Sequence, residues 1–302
     1  MPGGSTARPE GERFMDYSEV IEERKSTRQF QDKKVPDSVV AQISDYYEKD
    51  ARRLVPSLKT QILQFGTDAR EDLEGAAGYE DFMIGAPNYM VLLSEQDELA
   101  EENGGYLMED IILKLTDLDL GTCWITFTDS AAVKKALEID SDMDVVAIVA
   151  FGYGKRAKKR MRLNILSMSN VDATAKLHFH DPKRSIHDMV YLDSYGNQDG
   201  LDEYLGFYGD MLWEAFHAAT LSPSYLNRQP YDFVITDGKV VLVAKPDEYT
   251  DGIDEEIGWG IVMLHFAGAA SDLSVNVEWK MYDEAVQLEV PEGYRVIASC
   301  SL

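Results

Sequence analysis

The sequence predicts an α+β fold made of two diverged copies of one helix-and-strand unit. Its 302 residues are enough for two domain-sized units. In both halves, amphipathic helix patterns alternate with short apolar runs that are typical of buried strands. An offset of about 153 residues places Gly105 on Gly258 and Ile111 on Leu264, and it matches the order of the elements. Two generic helix-strand units that look alike by chance are the alternative explanation.

Composition and charge exclude several classes of protein. The net charge of −25 opposes binding to nucleic acid or to an anionic membrane. No apolar run reaches the roughly 18 residues that a transmembrane helix requires. Residues 1–13 are rich in Gly, Pro, Ser and charged residues, which predicts a disordered tail. Two cysteines give no disulfide framework, so the expected location is the cytoplasm.

In the first half, the apolar positions predict three helices and three strands. Val20 and Ile21 are the apolar contacts of a short helix, and Leu107, Ile111 and Leu115 lie on one broad face of a longer helix. The strand segments are short, apolar and rich in β-branched or aromatic residues. The predicted helices cover residues 16–23, 39–47 and 105–118, and the predicted strands cover residues 86–93, 122–127 and 145–151.

The second half runs through similar elements. Apolar spacing predicts one long amphipathic helix over residues 201–219 and a second buried helix over residues 257–270. Asp237-Gly238 lies between two apolar runs and is a hairpin signal. The predicted strands cover residues 233–236, 240–244, 275–279 and 294–298. We assign residues 14–175 to the first repeat and residues 176–302 to the second.

The segment Arg24-Lys25-Ser26-Thr27-Arg28 places cations and hydroxyl groups side by side. Arginine forms bidentate hydrogen bonds to phosphate oxygens, and serine or threonine adds a neutral donor, so the segment suits a phosphate or a polyol. In a strongly acidic chain, an anionic ligand is one reason for such a cluster. A solvated basic turn after a helix end, where cations are favoured, is the other interpretation.

A second polar segment, residues 222–230, follows the predicted long helix. Its prolines restrict the backbone, and Ser224, Asn227 and Gln229 offer hydrogen-bond donors and acceptors. The edge of an isoalloxazine ring presents a complementary set of groups. An ordinary polar loop between a helix and a strand would have the same composition.

Residues 120–126 would place small side chains and backbone beside Trp124. No base or cation adjoins Cys123 in the sequence, so we expect a buried, unreactive thiol.

The remaining basic and imidazole groups are weaker signals. The basic run within residues 155–162 and the pair Lys183-Arg184 are candidates to complete a phosphate site, with solvated loops as the alternative. His178 and His180 lack an evident third ligand, so no metal site is predicted.

Together, four stretches resemble the FMN-dependent nitroreductase family. Residues 24–30 resemble its N-terminal Arg-Arg/His-Ser-x-Arg-x-Phe motif, and residues 121–125 resemble the loop that passes the flavin. Residues 146–153 resemble its Val-Ala-x-Val-x-x-Gly-Tyr strand, and residues 222–230 resemble its Pro-Ser-x-x-Asn-x-Gln-Pro motif. The resemblance covers most of the chain from about Phe14 onward.

The order of these motifs departs from the family pattern. In ordinary members, the Pro-Ser-x-x-Asn-x-Gln-Pro segment lies shortly after the arginine-rich motif. Here that position holds residues 55–61, which keep Pro56-Ser57 but lack the asparagine and the Gln-Pro pair. Family members are typically homodimers whose flavin site borrows this loop from the partner. The chain therefore resembles a fused, two-copy nitroreductase with one flavin site between its repeats.

The resemblance implies FMN as the cofactor, NAD(P)H as the reductant and a nitroaromatic, quinone or similar small molecule as the electron acceptor. It implies a monomeric pseudo-dimer, with a homodimer as the alternative. A flavin- or small-ligand-binding protein without reductase turnover is the alternative function, and no catalytic side chain is indicated. The candidate cofactor-binding residues are Arg24, Lys25, Ser26, Arg28, Cys123, Trp124, Ile125, Thr126, Lys183, Arg184, Pro223, Ser224, Tyr225 and Asn227.

Overall fold

The computed structural model describes residues 15–79, 82–155, 160–167, 170–176, 183–250 and 252–302. The tail predicted for residues 1–13 lies outside them. Helix α1 (Tyr17–Glu23) opens the described chain, and its N-cap Asp16 accepts a hydrogen bond from the backbone N–H of Glu19 at 2.9 Å. This side-chain cap satisfies one of the free amide groups that begin every helix.

The first half builds a four-stranded antiparallel sheet with the order β1-β2-β4-β3. In register, Thr60 pairs with Ser94 in the β1–β2 ladder, and Gly121 pairs with Gly152 in the β3–β4 ladder. The elements are α2 (Asp37–Lys49), β1 (Thr60–Phe65), α3 (Ala69–Asp72), β2 (Asn88–Ser94), α4 (Ala100–Asp117), β3 (Gly121–Ile125), α5 (Ser130–Ala136) and β4 (Asp144–Gly152).

A two-stranded hairpin, β5 (Arg160–Ser167) and β6 (Asn170–Lys176), leads to the second half. There, a five-stranded sheet has the order β10-β11-β9-β8-β7, in which only β7 and β8 are parallel. The elements are α6 (Ile186–Met189), β7 (Val190–Leu192), α7 (Leu201–Phe207), α8 (Asp210–Leu221), β8 (Tyr231–Thr236), β9 (Lys239–Ala244), α9 (Gly252–Asp272), β10 (Lys280–Met281) and β11 (Arg295–Ser301).

The two halves share one topology, which confirms the predicted pair of α+β repeats. The first sheet runs β1-β2-β4-β3, and the second contains β8-β9-β11-β10 with β7 added beside β8. In each half an antiparallel pair of strands precedes the long helix and another two strands follow it. The division between residues 175 and 176 stays a prediction.

The two long helices, α4 and α9, cross at the centre of the molecule with their backbones in contact. A Cβ atom at Gly260 would lie 2.7 Å from the Tyr106 backbone nitrogen and closer still to the Glu102 carbonyl oxygen. A Cβ atom at Gly105 would in turn lie 2.9 Å from the carbonyl carbon of Ile257. Gly260 meets Glu102, and Gly105 meets Ile257. An offset of 155 residues relates Gly105 to Gly260 and Glu102 to Ile257, so the two contacts are equivalent under the internal repeat. The spatial equivalent of Gly105 is therefore Gly260, and not the Gly258 that the sequence offset suggested.

Helix α1 belongs to the first half in sequence but packs in the core of the second. Its Tyr17, Val20 and Ile21 are buried in one cluster with apolar residues of α8, α9 and the second sheet. The chain that leaves α1 must then cross back to the first sheet. This crossing brings the segment after α1 to the boundary between the halves.

Two sequence predictions of secondary structure are wrong. Residues 201–219 form two helices and not one, because Gly209 has a φ of 66° and a ψ of −150°, a conformation that no α-helix contains. Residues 275–279 are not a strand. Their alternating Val275, Val277 and Trp279 pack on the core of the second half, and the Trp279 indole N–H donates to the Met263 carbonyl oxygen at 3.0 Å.

The helix crossing predicts a large difference between two glycine substitutions in α9. Gly260→Ala should lower the free energy of unfolding by about 3 kcal/mol, because the new methyl group must push α4 away. Gly258→Ala is the matched control, since a Cβ there meets nothing within 4 Å, and its effect should stay below about 1 kcal/mol. Urea denaturation of both variants measures the difference. Equal stabilities would contradict the close crossing of α4 and α9.

Candidate functional site

A cavity of about 980 Å³ lies between the two halves. Its walls come from the segment after α1, from β3, from the loop after α8 and from the first turns of α9. The structure brings most of the predicted site residues together there. The lining includes Arg24, Lys25, Ser26, Arg28, Cys123, Trp124, Ile125, Thr126, Lys183, Pro223, Ser224, Tyr225 and Asn227.

The basic segment is held as an extended strip beside β3. Ser26 forms a parallel bridge with Thr122, and the Thr27 backbone N–H donates to the Thr122 carbonyl oxygen at 2.7 Å. The side chain of Arg24 is only 8% exposed, whereas Arg28 is exposed. The segment is therefore an extended wall of the cavity and not a turn, although Arg28 reaches solvent.

The loop after α8 is strained and tightly braced. Leu226, Asn227 and Gln229 have φ values of 47°, 57° and 49°, which are unfavourable for residues with a Cβ atom. The Gln229 side chain is buried and donates to the Thr220 carbonyl oxygen at 2.7 Å, and the Gln229 backbone N–H donates to Ser224 Oγ at 2.8 Å. Strain of this kind persists only where surrounding contacts fix it, and it concentrates at functional sites.

Lys183 and Arg184 both hold this loop, but only Lys183 lines the cavity. Lys183 Nζ donates to the Ser222 carbonyl oxygen at 2.9 Å and to Asn227 Oδ1 at 2.5 Å. Arg184 lies behind the loop, where it donates to the Tyr231 carbonyl oxygen at 2.7 Å and pairs with the buried Asp232 at 2.5 Å. The structure thus places Arg184 as a support of the loop and outside the cavity lining.

On β3, Cys123 is buried, and this burial raises the pKa of its thiol even though Arg28 and Arg24 act in the opposite direction. A thiol that stays protonated is a weak nucleophile. The neighbouring Trp124 donates its indole N–H to Glu109 Oε2 at 2.7 Å. The chemistry of the cavity therefore does not depend on a cysteine thiolate.

Sequence reasoning missed the aromatic mouth of the cavity. Tyr79 and Phe82 line it and are 45% and 65% exposed, and the rings of Tyr79 and Tyr225 lie 6.3 Å apart. Tyr79 and Phe82 follow Gly78 in a stretch without helix or strand periodicity. Two aromatic residues close together in such a stretch were the available signal.

It also missed a buried polar group behind Arg24. Glu109 on α4 and His265 on α9 are fully buried, and His265 Nε2 lies 3.0 Å from Glu109 Oε1. The Arg24 Nε atom lies 3.6 Å from the same oxygen. The sequence carries no signal for this group, because one chain cannot reveal which helices face each other.

The position that the internal repeat relates to this cavity has an acidic residue where the cavity has an apolar one. The 155-residue offset places Glu102 where the cavity has Ile257. Glu102 is buried and accepts a hydrogen bond from the Tyr282 hydroxyl at 3.2 Å, and burial raises the pKa of its carboxyl group to about 7. An acidic side chain there disfavours the binding of an anionic ligand at the position that the internal repeat relates to the cavity.

Some candidates from the sequence fall outside the described chain, namely residues 156–159 of the basic run and His178 and His180. Among the residues with described positions, no group of three or more His, Cys, Asp and Glu side chains could hold a metal ion. Within that same part of the chain, no helix is long and apolar enough to cross a membrane.

Comparison with a solved structure defines the class of fold. A Thermotoga maritima protein assigned as a nitroreductase matches 99% of this chain over 99% of its own length, with a TM-score of 0.56 and 20% sequence identity. The two α+β halves and the cavity between them thus form a nitroreductase-type fold.

The family follows from a sequence model. The model described as "Putative TM nitroreductase" matches residues 16–270, so the chain belongs to this nitroreductase family. A search of curated protein sequences finds no match.

Other solved structures match about half of the chain. A nitroreductase family protein from Clostridium novyi is 23% identical and covers 47% of this chain and 86% of its own, with a TM-score of 0.42. A Desulfovibrio desulfuricans protein solved in complex with FMN is 20% identical and covers 51% of this chain and 96% of its own, with a TM-score of 0.41.

The buried carboxyl group of Glu102 predicts a pH-dependent stability. The pKa of this group in the folded protein, about 7, lies above the ordinary value of 4.5. Between these two pH values the unfolded chain loses a proton that the folded protein keeps. The free energy of unfolding therefore falls as pH rises through this range. Glu102→Gln should remove this loss and stabilise the protein by roughly 2 kcal/mol more at pH 8 than at pH 5. Urea denaturation at both pH values measures the effect. The exposed Glu98→Gln is the control, and an equal response in both variants would contradict the assignment.

Proposed function

We propose that this protein is an FMN-dependent oxidoreductase that passes electrons from NAD(P)H to a nitroaromatic, quinone or similar small molecule. The observation that carries the proposal is the meeting of two polar segments at one cavity. The cationic segment around Arg24 and Arg28 comes from the first half, and the strained loop around Asn227 comes from the second. Membership of the nitroreductase family supports the oxidoreductase class.

The cavity fits a flavin in size and in chemistry. Its volume of about 980 Å³ lies at the upper end of the range for small-molecule sites, roughly 300–1,000 Å³. Arg24 lines the cavity, and its buried Nε–H has no hydrogen-bond partner among the residues that the structure describes. A buried guanidinium donor without a partner is costly unless a ligand accepts its hydrogen bond.

Each wall has a role in this proposal. Arg24, Ser26 and Arg28 would hold the phosphate, the ribityl chain or the N1/O2 edge, where a cation stabilises the negative charge that a flavin gains on reduction. Residues 223–227 would contact the ring from the other half, and residues 123–126 would line its face or its N5 edge. FMN, when bound, supplies the hydride and electron chemistry, and the protein supplies binding and orientation.

The repeat limits the number of flavins. The complementary motifs meet at one cavity, whereas the related position has Glu102 in place of Ile257. We therefore propose one FMN per chain in a monomeric pseudo-dimer located in the cytoplasm. The presence of a single site is also compatible with a flavin-binding protein without turnover. The experiment below distinguishes that protein from the enzyme.

The purified protein should be yellow and should release one FMN per chain on denaturation. Anaerobic NAD(P)H should bleach it, because the proposed enzyme passes a hydride from NAD(P)H to the flavin. Absorbance spectroscopy and flavin quantification measure both properties. A yellow protein that does not bleach would support the binding protein, two FMN per chain would contradict the single site, and a colourless protein that takes up no added FMN would exclude both flavin functions.

Removal of one cation from the cavity should weaken FMN binding. Arg28→Ala should raise the dissociation constant by about tenfold, because a charged hydrogen bond to phosphate or ring oxygens is lost. Lys34→Ala is the matched control, since Lys34 is solvent-exposed, pairs with Asp37 and does not line the cavity. Quenching of flavin fluorescence measures both constants. Equal affinities in the two variants would show that Arg28 does not contact the cofactor.

A further inference from the structure

We propose that His265 neutralises the buried Glu109 and thereby keeps the positive charge of Arg24 available to an anionic ligand in the cavity. The proposal rests on the FMN-binding function where it concerns that ligand, while the charge balance itself belongs to the protein alone. His265 and Glu109 would act as positioning residues, since neither lines the cavity. No motif of the family resemblance includes either residue.

The group lies where the two halves join. Glu109 is on α4, His265 is on the facing helix α9, and both side chains are fully buried. His265 Nε2 lies 3.0 Å from Glu109 Oε1, and the indole N–H of Trp124 donates to Glu109 Oε2 at 2.7 Å. Both carboxylate oxygens therefore have partners, and one partner, Trp124, forms part of the cavity wall.

Hydrogen-bonding rules fix the number of protons in the pair. His265 Nδ1 lies 3.0 Å from the Ala218 carbonyl oxygen, which can only accept, so Nδ1 carries a proton. One more proton must then lie between Nε2 and Glu109 Oε1. It makes either an imidazolium beside a carboxylate or a neutral imidazole beside a carboxylic acid, and the net charge of the pair is zero in both cases.

This neutrality decides what Arg24 can do. Its Nε atom lies 3.6 Å from Glu109 Oε1, too far for a hydrogen bond, and it has no hydrogen-bond partner in the described part of the chain. An unneutralised carboxylate at that distance would hold the guanidinium and cancel its charge. With His265 in place, Arg24 keeps an uncancelled charge beside the cavity.

The pair thus links the fold to the site. Its two members come from facing helices of the two repeats, and it forms only if α4 and α9 cross as closely as they do. An anion in the cavity would then meet the charge of Arg24 only in the assembled pseudo-dimer.

A double-mutant cycle tests the proposal through FMN affinity. His265→Gln should raise the FMN dissociation constant by about tenfold, because Glu109 then competes for Arg24. Glu109→Gln should bind FMN at least as tightly as the parent protein. The double variant Glu109→Gln/His265→Gln should return to within about threefold of the parent, since no carboxylate is left to compete. His187→Gln, at an exposed histidine paired with Asp202, is the matched control and should bind as the parent does.

Recovery of FMN binding in the double variant supports the charge-balance role, because a loss of packing alone would make two substitutions at least as harmful as one. Unchanged binding in His265→Gln, or a double variant no better than His265→Gln, would overturn the proposal.

A second cycle needs no ligand. His265→Gln should lower the free energy of unfolding more than the double variant does, because it alone leaves Glu109 as a buried carboxylate that has lost its nearest charge partner. Absence of this coupling would overturn the charge balance whatever the FMN result. Failure of the parent protein to bind FMN would refute the proposed function and the ligand role of Arg24, while this unfolding cycle would still decide the charge balance.

Discussion

The backbone contact between α4 and α9 is the constraint on which the rest of the structure depends. Gly105 and Gly260 let each helix approach the other until backbone meets backbone. This crossing joins the two halves, sets the first turns of α9 into the cavity wall and brings Glu109 within hydrogen-bonding distance of His265. The cavity is thus a consequence of how the repeats pack, and neither half encloses it alone.

The two repeats have divided their roles. The first half contributes an extended cationic strip bridged to β3 through Ser26 and Thr122, and the second contributes a loop that Lys183 and Gln229 hold in a strained shape. At the related position, the buried acid Glu102 lies where the cavity has the apolar Ile257. In the proposed oxidoreductase, the one flavin site therefore combines the cationic strip of the first half with the strained loop of the second half.

Sequence alone could predict what local patterns encode. The turn at Asp237-Gly238 and the helices α4 and α9 follow from composition and spacing. The pairing of the cationic strip with the loop at residues 222–230 is what the resemblance to the nitroreductase family implies. Sequence alone could not predict the break at Gly209, because a glycine inside an amphipathic pattern is compatible with both a continuous and a broken helix. Nor could it reveal the partnership of Glu109 with His265, because these residues lie 156 positions apart on helices whose facing sides only the fold determines.

The most direct test of this account is a crystal structure of the protein grown with FMN. The account predicts electron density for one flavin per chain in the cavity between the halves. Its phosphate or ring edge should contact the guanidinium groups of Arg24 or Arg28, and its ring should contact the loop that contains Asn227. Density for FMN outside this cavity, or for a second FMN near Glu102, would contradict the assignment of a single site between the two repeats.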